Sequence, residues 1–162
     1  MFNFFKKKEK EFADVIYAPL KGEAVSSAEV NDPTFGEEML GKGMAIKPSE
    51  GKVYAPFDGT VAMVFDTKHA VSLVSEKGTE VLIHVGLDTV MLKGEHYNAV
   101  VESGAAVKKG DLLLEFDMEA IKAAGYDVIT PIVVCNTDDY KDVIRTTGIQ
   151  VEAGTVVMQL EN

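Results

Sequence analysis

The stretch APFDG, residues 55–59, occurs a second time in this chain as APLKG, residues 18–22. In each copy the proline fixes φ and the glycine is free to adopt positive φ, a combination typical of a tight turn between strands. A strand-like run of residues follows each copy. The repetition therefore predicts two equivalent turns, each leading into a β-strand.

A second pattern, G-x-x-V-x-x-G-x-x-[LV], also occurs twice, at residues 104–113 and 148–157. Its two glycines flank a small valine. In this respect the pattern resembles the half-module of biotinyl and lipoyl carrier domains. Interleaved copies of the two patterns predict an all-β fold, an antiparallel β-sandwich or barrel built from a duplicated hybrid-type motif. Helical turns should be short at most, the clearest being MEAIKAAG at residues 118–125, with Gly125 as its C-cap.

Length and composition favour one compact domain with a real core, because 46% of the 162 residues are hydrophobic. The formal net charge of -10 argues against nucleic acid as a partner, since a phosphate backbone requires basic patches, and favours a basic protein partner. Cys135 is the only cysteine, which excludes an internal disulfide and a cysteine-based zinc site. We expect it to be a small apolar residue of a strand.

The N-terminal stretch MFNFFKKKEKEF differs in character from the rest of the chain. We expect residues 1–13 to form a flexible basic and apolar tail and residues 14–162 to form the single domain. The stretch lacks the continuous apolar region of a secretory signal, and no apolar run in the chain is long enough to span a bilayer, so we expect a cytoplasmic protein. Residues 1–12 could make a weak contact with an anionic membrane; the alternative is a tail that only aids solubility.

Two histidines are candidates for the functional site. In VLIHVGLDTV, residues 81–90, His84 interrupts a row of aliphatic residues, where an imidazole costs free energy unless it is hydrogen-bonded or used. His69 lies upstream, and SEKG at residues 75–78 predicts a hairpin turn that would bring both rings to the same end of a hairpin. Thr67 can point the same way as His69 along an extended segment and hydrogen-bond to it.

Two stretches, TKHA at residues 67–70 and IHVGLDTVMLKGE at residues 83–95, carry a specific resemblance. They resemble the glucose-type enzyme IIA of the bacterial phosphoenolpyruvate:sugar phosphotransferase system. The likeness extends over residues 16–160, and further matching stretches are YAPLKGE (17–23), NDPTFGEEMLGKGMAIKP (31–48), YAPFDGTV (54–61) and GDLLLEFD (110–117). The resemblance implies a β-sandwich that works as a cytoplasmic phosphocarrier in sugar uptake, with a phosphohistidine intermediate and no cofactor.

The same resemblance implies roles for three residues. His84 would accept a phosphoryl group on Nε2 from the phosphohistidine of HPr, while a backbone carbonyl holds its other ring nitrogen. It would then pass the group to a cysteine of a sugar-specific IIB domain. His69, oriented by Thr67, would donate a hydrogen bond to the phosphoryl oxygens. A neutral imidazole near pH 7 is a suitable nucleophile for this chemistry.

Partner-binding residues follow from the resemblance as well. Asp32 and Asp88 match carboxylates that flank the site and can meet an arginine of HPr. The matching positions of an apolar disc around the histidines are Phe35, Leu40, Phe65, Leu82 and Val90; the alternative for each of them is a core residue.

The chain also departs from the family pattern, with Lys42 where an aspartate is common and His96 where a glycine is common. Both departures lie near the expected rim of the site and bear on partner choice. We interpret His96 as a surface residue.

Two other classes of protein are alternatives. A swinging-arm carrier would need its modified lysine in a setting such as M-K-M or D-K-A, and neither occurs here. A zinc hydrolase of related shape usually shows an H-x-H pair, which is also absent. A weaker version stays open, in which His69 and His84 bind a zinc ion whose other ligands come from a partner. Sugar specificity is expected to lie in the membrane-bound partner.

Overall fold

The computed structural model describes residues 12–162, which form short β-strands and two helices of one or two turns. The expectations for the tail, residues 1–13, and for its membrane contact through residues 1–12, lie almost entirely outside the described residues. The strands are β1 (Asp14–Tyr17), β2 (Gly22–Ser26), β3 (Gly43–Pro48), β4 (Lys52–Tyr54), β5 (Gly59–Val64), β6 (Ala70–Ser75), β7 (Glu80–His84), β8 (Tyr97–Ala99), β9 (Ala106–Val107), β10 (Leu112–Phe116), β11 (Thr130–Val134), β12 (Asp142–Arg145), β13 (Ile149–Val151) and β14 (Val156–Glu161). The helices are α1 (Pro33–Gly36) and α2 (Met118–Ala123).

The described strands form one large sheet and two small ones. The large sheet has the order β13-β2-β3-β11-β7-β6-β5-β9, and the small sheets have the orders β1-β14-β12 and β4-β10-β8. Every pairing between them is antiparallel. The predicted all-β antiparallel fold is therefore confirmed.

The two sequence patterns pair with each other in the same way in both copies. The amide of Gly154 donates to the carbonyl of Ala18 (2.9 Å), and the amide of Gly110 donates to the carbonyl of Ala55 (3.0 Å). In both cases the alanine of A-P-x-x-G accepts a backbone hydrogen bond from the second glycine of G-x-x-V-x-x-G. This equivalence supports the interpretation of the fold as a duplicated motif.

The two copies are also linked reciprocally. The amide of Tyr17 donates to the carbonyl of Pro56 (3.0 Å), and the amide of Tyr54 donates to the carbonyl of Pro19 (2.7 Å). Each A-P-x-x-G segment thus accepts a hydrogen bond from the residue that precedes the other segment. The copies are interleaved, because neither satisfies these backbone groups by itself.

The glycines of A-P-x-x-G allow neighbouring strands to approach closely, and only one of them adopts the expected positive φ. Gly59 lies within β5 and does not adopt positive φ; a Cβ atom at this position would collide with the carbonyl oxygen of Val74 on β6. Gly22 has φ 157°, and a Cβ there would collide with the carbonyl oxygen of Lys47 on β3. Gly59 is therefore required for close approach of neighbouring strands rather than for positive φ, whereas Gly22 combines the expected positive φ with such a close approach.

The predicted helix is confirmed as α2, and the structure contains a second short helix, α1. Helix α2 begins after Asp117, whose carboxylate accepts from the amide of Ala120 (3.0 Å), and it is followed by Gly125 at φ 95°. Helix α1 was not predicted, although Asp32 followed by Pro33 is a common N-terminal signal of a helix.

Cys135 is exposed, directly after β11, so the prediction of an apolar strand residue is wrong for it. No helix among residues 12–162 is long and apolar enough to cross a membrane.

Two clusters of buried residues form the hydrophobic core. The larger one packs side chains of all three sheets together. The smaller one contains Phe35, whose ring packs against His84, and Leu87, which follows His84 by three residues. The other members of the smaller cluster are Val25, Val30, Ala45, Ile129 and Val133, with Leu82 packed against them. The smaller cluster is therefore in contact with the ring of His84 through Phe35.

Candidate functional site

The hairpin formed by β6 and β7 brings the two histidines together. Ala70 pairs with His84 across the hairpin, so His69 lies next to the end of β7. The ring centroids of His69 and His84 are 4.7 Å apart, and the rings are nearly perpendicular at 83°. The turn connecting the strands spans the predicted residues 75–78, with the amide of Gly78 donating to the carbonyl of Ser75.

The tautomer of His84 is fixed by the backbone. Its Nδ1 lies 2.8 Å from the carbonyl oxygen of Gly86, which can only accept, so Nδ1 carries the proton and Nε2 keeps its lone pair. Gly86 has φ 89°, and a Cβ there would lie 2.5 Å from Thr89 Cγ2 and 2.9 Å from the carbonyl oxygen of Asp127. A glycine is therefore needed at this position to turn the carbonyl towards the ring.

His69 is held by the predicted hydroxyl. Thr67 Oγ1 lies 2.6 Å from His69 Nδ1, and the His69 side chain is only 3% exposed. Lys68, between them, has φ 59°, a left-handed conformation that lets the chain turn into β6. If the threonine hydroxyl donates to Nδ1, the ring proton of His69 resides on Nε2.

Both imidazoles are neutral near pH 7. Burial is the main cause that lowers the pKa of His69 to about 4, and the neighbouring His84 contributes the remainder of this shift. Burial also lowers the pKa of His84, although the Gly86 carbonyl, Asp32 and Asp88 act in the opposite direction. A neutral His84 with an unprotonated Nε2 is a nucleophile.

One phenylalanine ring packs against each histidine of the pair. The Phe35 ring lies 4.9 Å from the ring of His84, and the Phe65 ring packs edge-on against His69 at 5.6 Å. Phe35 is only 7% exposed and belongs to the smaller core cluster, which agrees with the alternative interpretation of a core residue. Phe65 is half-buried.

Leu40 and Val90 are the most exposed of the predicted apolar positions, at 45% and 48%, while Leu82 is half-buried. Their sequence neighbours Met39 and Met91 are more exposed still, at 70% and 65%, and were not predicted. The signal was present in the sequence, because each methionine adjoins a predicted apolar contact residue in a loop or turn.

Both predicted carboxylates lie close enough to His84 to act on the charge of its ring. Asp32 caps helix α1, where its Oδ1 accepts from the amide of Thr34 at 3.0 Å, so it also holds the helix that carries Phe35. Asp88 is exposed and has φ 60°, in the turn that follows Gly86.

Of the two departures from the family pattern, Lys42 lies 3.9 Å from Asp142, and the two side chains form an ion pair. His96 is exposed, as predicted, and has φ 75°, a conformation that favours glycine.

Two buried hydroxyl residues next to the site were missed by the sequence reasoning. Thr89 and Tyr97 both hydrogen-bond to the carbonyl of Val85, the residue after His84. The sequence offers little signal for these contacts, because they depend on how the 85–97 segment folds back on itself.

Within residues 12–162, no group of three or more His, Cys, Asp or Glu side chains is arranged to hold a metal ion. His69 and His84 alone supply two nitrogens, which is half of a tetrahedral zinc site. Any zinc bound here would need ligands from a partner.

Comparison with known proteins identifies relatives of the chain. Residues 14–140 match the model of the family described as phosphoenolpyruvate-dependent sugar phosphotransferase system, EIIA 1. The glucose-specific EIIA component of the phosphotransferase system of Oceanobacillus iheyensis is 44% identical over 153 residues, covering 94% of this chain and 93% of that protein. The solved structure of glucose permease IIA from Mycoplasma capricolum matches with a TM-score of 0.82 at 33% identity, covering 90% of this chain and 94% of that one.

Larger proteins contain a similar segment. The beta-glucoside-specific EIIBCA component of the phosphotransferase system of Dickeya chrysanthemi is 49% identical over 147 residues, which cover 91% of this chain. The match covers only 23% of that relative, so the chain spans less than a quarter of its length.

Proposed function

Since the chain belongs to the EIIA 1 family of the phosphoenolpyruvate-dependent sugar phosphotransferase system, we propose that it carries a phosphoryl group on His84 between two partner proteins. The donor is the phosphohistidine of HPr, and the acceptor is a cysteine of a sugar-specific IIB domain. The observation that carries the proposal is the lone pair on His84 Nε2, which the hydrogen bond from Nδ1 to the Gly86 carbonyl leaves free.

In the first half-reaction, His84 Nε2 attacks the phosphorus atom in line with the nitrogen of HPr. The new N–P bond forms as the old one breaks, and the imidazole of HPr leaves with the electron pair of the broken bond. The His84 ring becomes positive, and the Gly86 carbonyl stabilises this charge because it accepts a hydrogen bond from the Nδ1–H group. The neutral state of His84, which burial favours, keeps the ring available for the attack.

His69 stabilises the transferred group. With Thr67 donating to Nδ1, the His69 Nε2 proton is available to the phosphoryl oxygens, and the short distance between the two rings supports this contact. A donor that is already in place costs little reorganisation when charge shifts during transfer.

In the second half-reaction, a cysteine thiolate attacks the phosphorus atom and the His84 Nε2–P bond breaks. The electron pair of that bond returns to Nε2 and restores the neutral imidazole. The names of the EIIBCA relatives, in which a segment similar to this chain is part of a larger component, support a IIB domain as the acceptor.

Partners dock on the surface around the histidines. The exposed side chains of Leu40, Val90, Met39 and Met91 supply apolar area, and half-buried Phe65 and Leu82 contribute at the edge of the rings. Asp32 and Asp88 provide negative charge for an arginine of HPr. Phe35 supports the His84 ring from the core.

The remaining parts of the proposal concern the whole chain. Residues 14–162 act as one domain in the cytoplasm, and residues 1–13 form a tail whose first twelve residues make a weak contact with an anionic membrane. The lysines and phenylalanines of this tail carry that contact.

Incubation with phosphoenolpyruvate, the first enzyme of the phosphotransferase system and HPr tests the proposal. We expect an acid-labile gain of one phosphoryl group by intact mass, mapped to His84 and absent from His84→Ala. His96→Ala is the matched control, because His96 is an exposed histidine outside the pair. Phosphorylation that persists in His84→Ala contradicts the assignment.

A further inference from the structure

The carbonyl of Val85, the residue between His84 and Gly86, accepts two hydrogen bonds from side chains. Thr89 Oγ1 donates to it at 2.7 Å and the Tyr97 hydroxyl donates to it at 2.8 Å. A carbonyl oxygen has two lone pairs, so this one is fully satisfied by two hydroxyl groups that come from four and twelve residues further along the chain.

The other backbone group of Val85 connects the two histidines. Its amide donates to the carbonyl of His69 at 2.7 Å. Val85 is thus held on one side by the residue that stabilises the phosphoryl group and on the other side by Thr89 and Tyr97. Val85 therefore joins two peptide planes: the one with its amide is held by the His69 carbonyl, and the one with its carbonyl is held by Thr89 and Tyr97.

The segment that precedes β11 holds the amide of this second plane and the amide of the plane that follows it. The amide of Gly86 donates to the carbonyl of Ile129 (3.1 Å), and the amide of Leu87 donates to the carbonyl of Asp127 (3.0 Å). The latter contact orients the plane that contains the Gly86 carbonyl. The Val85 carbonyl lies in the same plane as the Gly86 amide, next to the plane of the Gly86 carbonyl, and Thr89 and Tyr97 supply its hydrogen bonds.

Both donors are buried and well placed. Thr89 is fully buried, and Tyr97 is 7% exposed with its ring stacked on Phe116 at a centroid distance of 6.4 Å and an angle of 30°. Burial raises the pKa of Tyr97 to about 12, so its hydroxyl keeps its proton and acts as a donor. Losing either hydroxyl would leave part of a buried carbonyl without a partner.

We propose that Thr89 and Tyr97 are positioning residues for phosphoryl transfer: by holding the Val85 carbonyl they keep the Gly86 carbonyl on His84 Nδ1 and so keep Nε2 unprotonated. This inference rests on the proposed role of His84 as the phosphoryl acceptor. Neither residue touches the phosphoryl group. Without the two hydroxyls the turn loosens, and the His84 proton moves between the two nitrogens.

The tautomer of His84 in the unphosphorylated protein provides the direct test. Long-range ¹H–¹⁵N NMR spectra at pH 7.5 distinguish a ring protonated on Nδ1 from one protonated on Nε2. We expect the wild type to be protonated on Nδ1 and the double variant Thr89→Val, Tyr97→Phe to contain a substantial population protonated on Nε2. The two single variants should lie in between.

The rate of phosphoryl acceptance from phospho-HPr is the second measurement. Loss of the hydrogen-bond partners that orient metal-bound histidines typically costs about 10- to 100-fold in activity, and we expect a similar range for the double variant. Thr89→Ser keeps the hydroxyl and should retain the wild-type tautomer and rate. Tyr140→Phe is the matched control: it also removes a hydrogen-bonded phenol, the one 2.8 Å from Thr79 Oγ1, which lies outside the site.

The two measurements separate the possible failures. A double variant that keeps the wild-type tautomer overturns the inference, even if it is less stable. A shifted tautomer with an unchanged rate also overturns it, because the turn would then not position the reactive nitrogen. If the wild type does not accept a phosphoryl group at all, the proposed function fails, and the tautomer still reports on the turn. If the double variant does not fold, Tyr97→Phe decides between the outcomes, since it leaves the ring stacked on Phe116.

Discussion

Burial of His69 makes the stability of the fold depend on pH. The pKa of His69 is about 4 in the folded protein against about 6.5 in an unfolded chain, so the unfolded state binds more protons between these values. The free energy of unfolding therefore falls as the pH falls from about 6.5 to about 4, by about 3 kcal/mol in total. The lowered pKa of His84 acts in the same direction.

The substitution His69→Gln should remove the His69 part of this dependence. Urea unfolding of the wild type and the variant between pH 4.5 and pH 7.5 measures it, because carboxylates that titrate in the same window are common to both proteins. As the pH is lowered, we expect the free energy of unfolding to fall less for the variant than for the wild type. Parallel curves would contradict a buried neutral His69.

The two histidines should also differ in the half-reactions that they affect. A phosphoryl group on His84 places negative charge beside His69, which raises the pKa of that imidazole above its value in the free protein. Glutamine keeps an amide donor but cannot be protonated. We therefore expect His69→Gln still to accept a phosphoryl group from HPr. Its donation to the IIB cysteine should be about 10²- to 10³-fold slower than that of the wild type.

Rapid-quench measurement of each half-reaction checks this division of roles. Thr67→Ala should show a milder defect in donation, because it only loosens the orientation of the His69 ring. His96→Gln makes the same change at an exposed histidine outside the pair, and at saturating partner concentrations it should leave both half-reactions at the wild-type rate. Donation at the wild-type rate by His69→Gln would exclude the proposed division.

At the scale of single elements, helix α1 gives Asp32 two separable roles. As the N-cap, its side chain accepts from the amide of Thr34, and it fixes the helix that places Phe35 against His84. As a charge beside His84, it is proposed to meet an arginine of HPr. Asparagine caps helices about as well as aspartate but carries no charge, whereas alanine does neither.

Comparison of the two substitutions at Asp32 tests this. We expect Asp32→Asn to keep the stability of the wild type and to raise the KM for phospho-HPr, most clearly at low ionic strength. Asp32→Ala should show the same rise in KM and, in addition, lose about 1 kcal/mol of stability. Equal KM values for Asp32→Asn and the wild type would argue that the carboxylate acts only as a cap.

The elements also show how much of the fold and of the candidate site the sequence predicts. Short repeats predicted the duplicated antiparallel fold because each repeat unit makes the same backbone contacts in both copies, as for Gly110 with Ala55 and Gly154 with Ala18. Proximity of the histidines followed from hairpin register, which a short turn fixes. The contacts of Thr89 and Tyr97 did not follow, because a hydroxyl that donates to a backbone carbonyl in an irregular turn leaves no periodic pattern. Burial of Phe35 was likewise decided by the tertiary packing of α1.

At the scale of the whole molecule, the charge distribution sets apart the N-terminal residues from the rest. Residues 1–11 contain four lysines and two glutamates, a net charge of +2, whereas the complete chain carries -10. Residues 12–162 therefore carry a net charge of -12 by difference. A body with this charge is repelled by an anionic membrane, so any attraction has to come from the first residues.

Deletion of residues 1–11 tests the membrane contact. Each lysine near an anionic surface contributes about 1 kcal/mol, and Phe2, Phe4 and Phe5 add apolar area that can enter the interface. We expect the complete chain to sediment with phosphatidylserine-containing vesicles more than the shortened chain, and to lose this difference at high salt. Replacing Lys6, Lys7 and Lys8 with glutamine should reproduce the deletion, since it removes the charge and leaves the phenylalanines in place. Equal sedimentation of the complete and shortened chains at low salt would leave the first residues with a role in solubility alone.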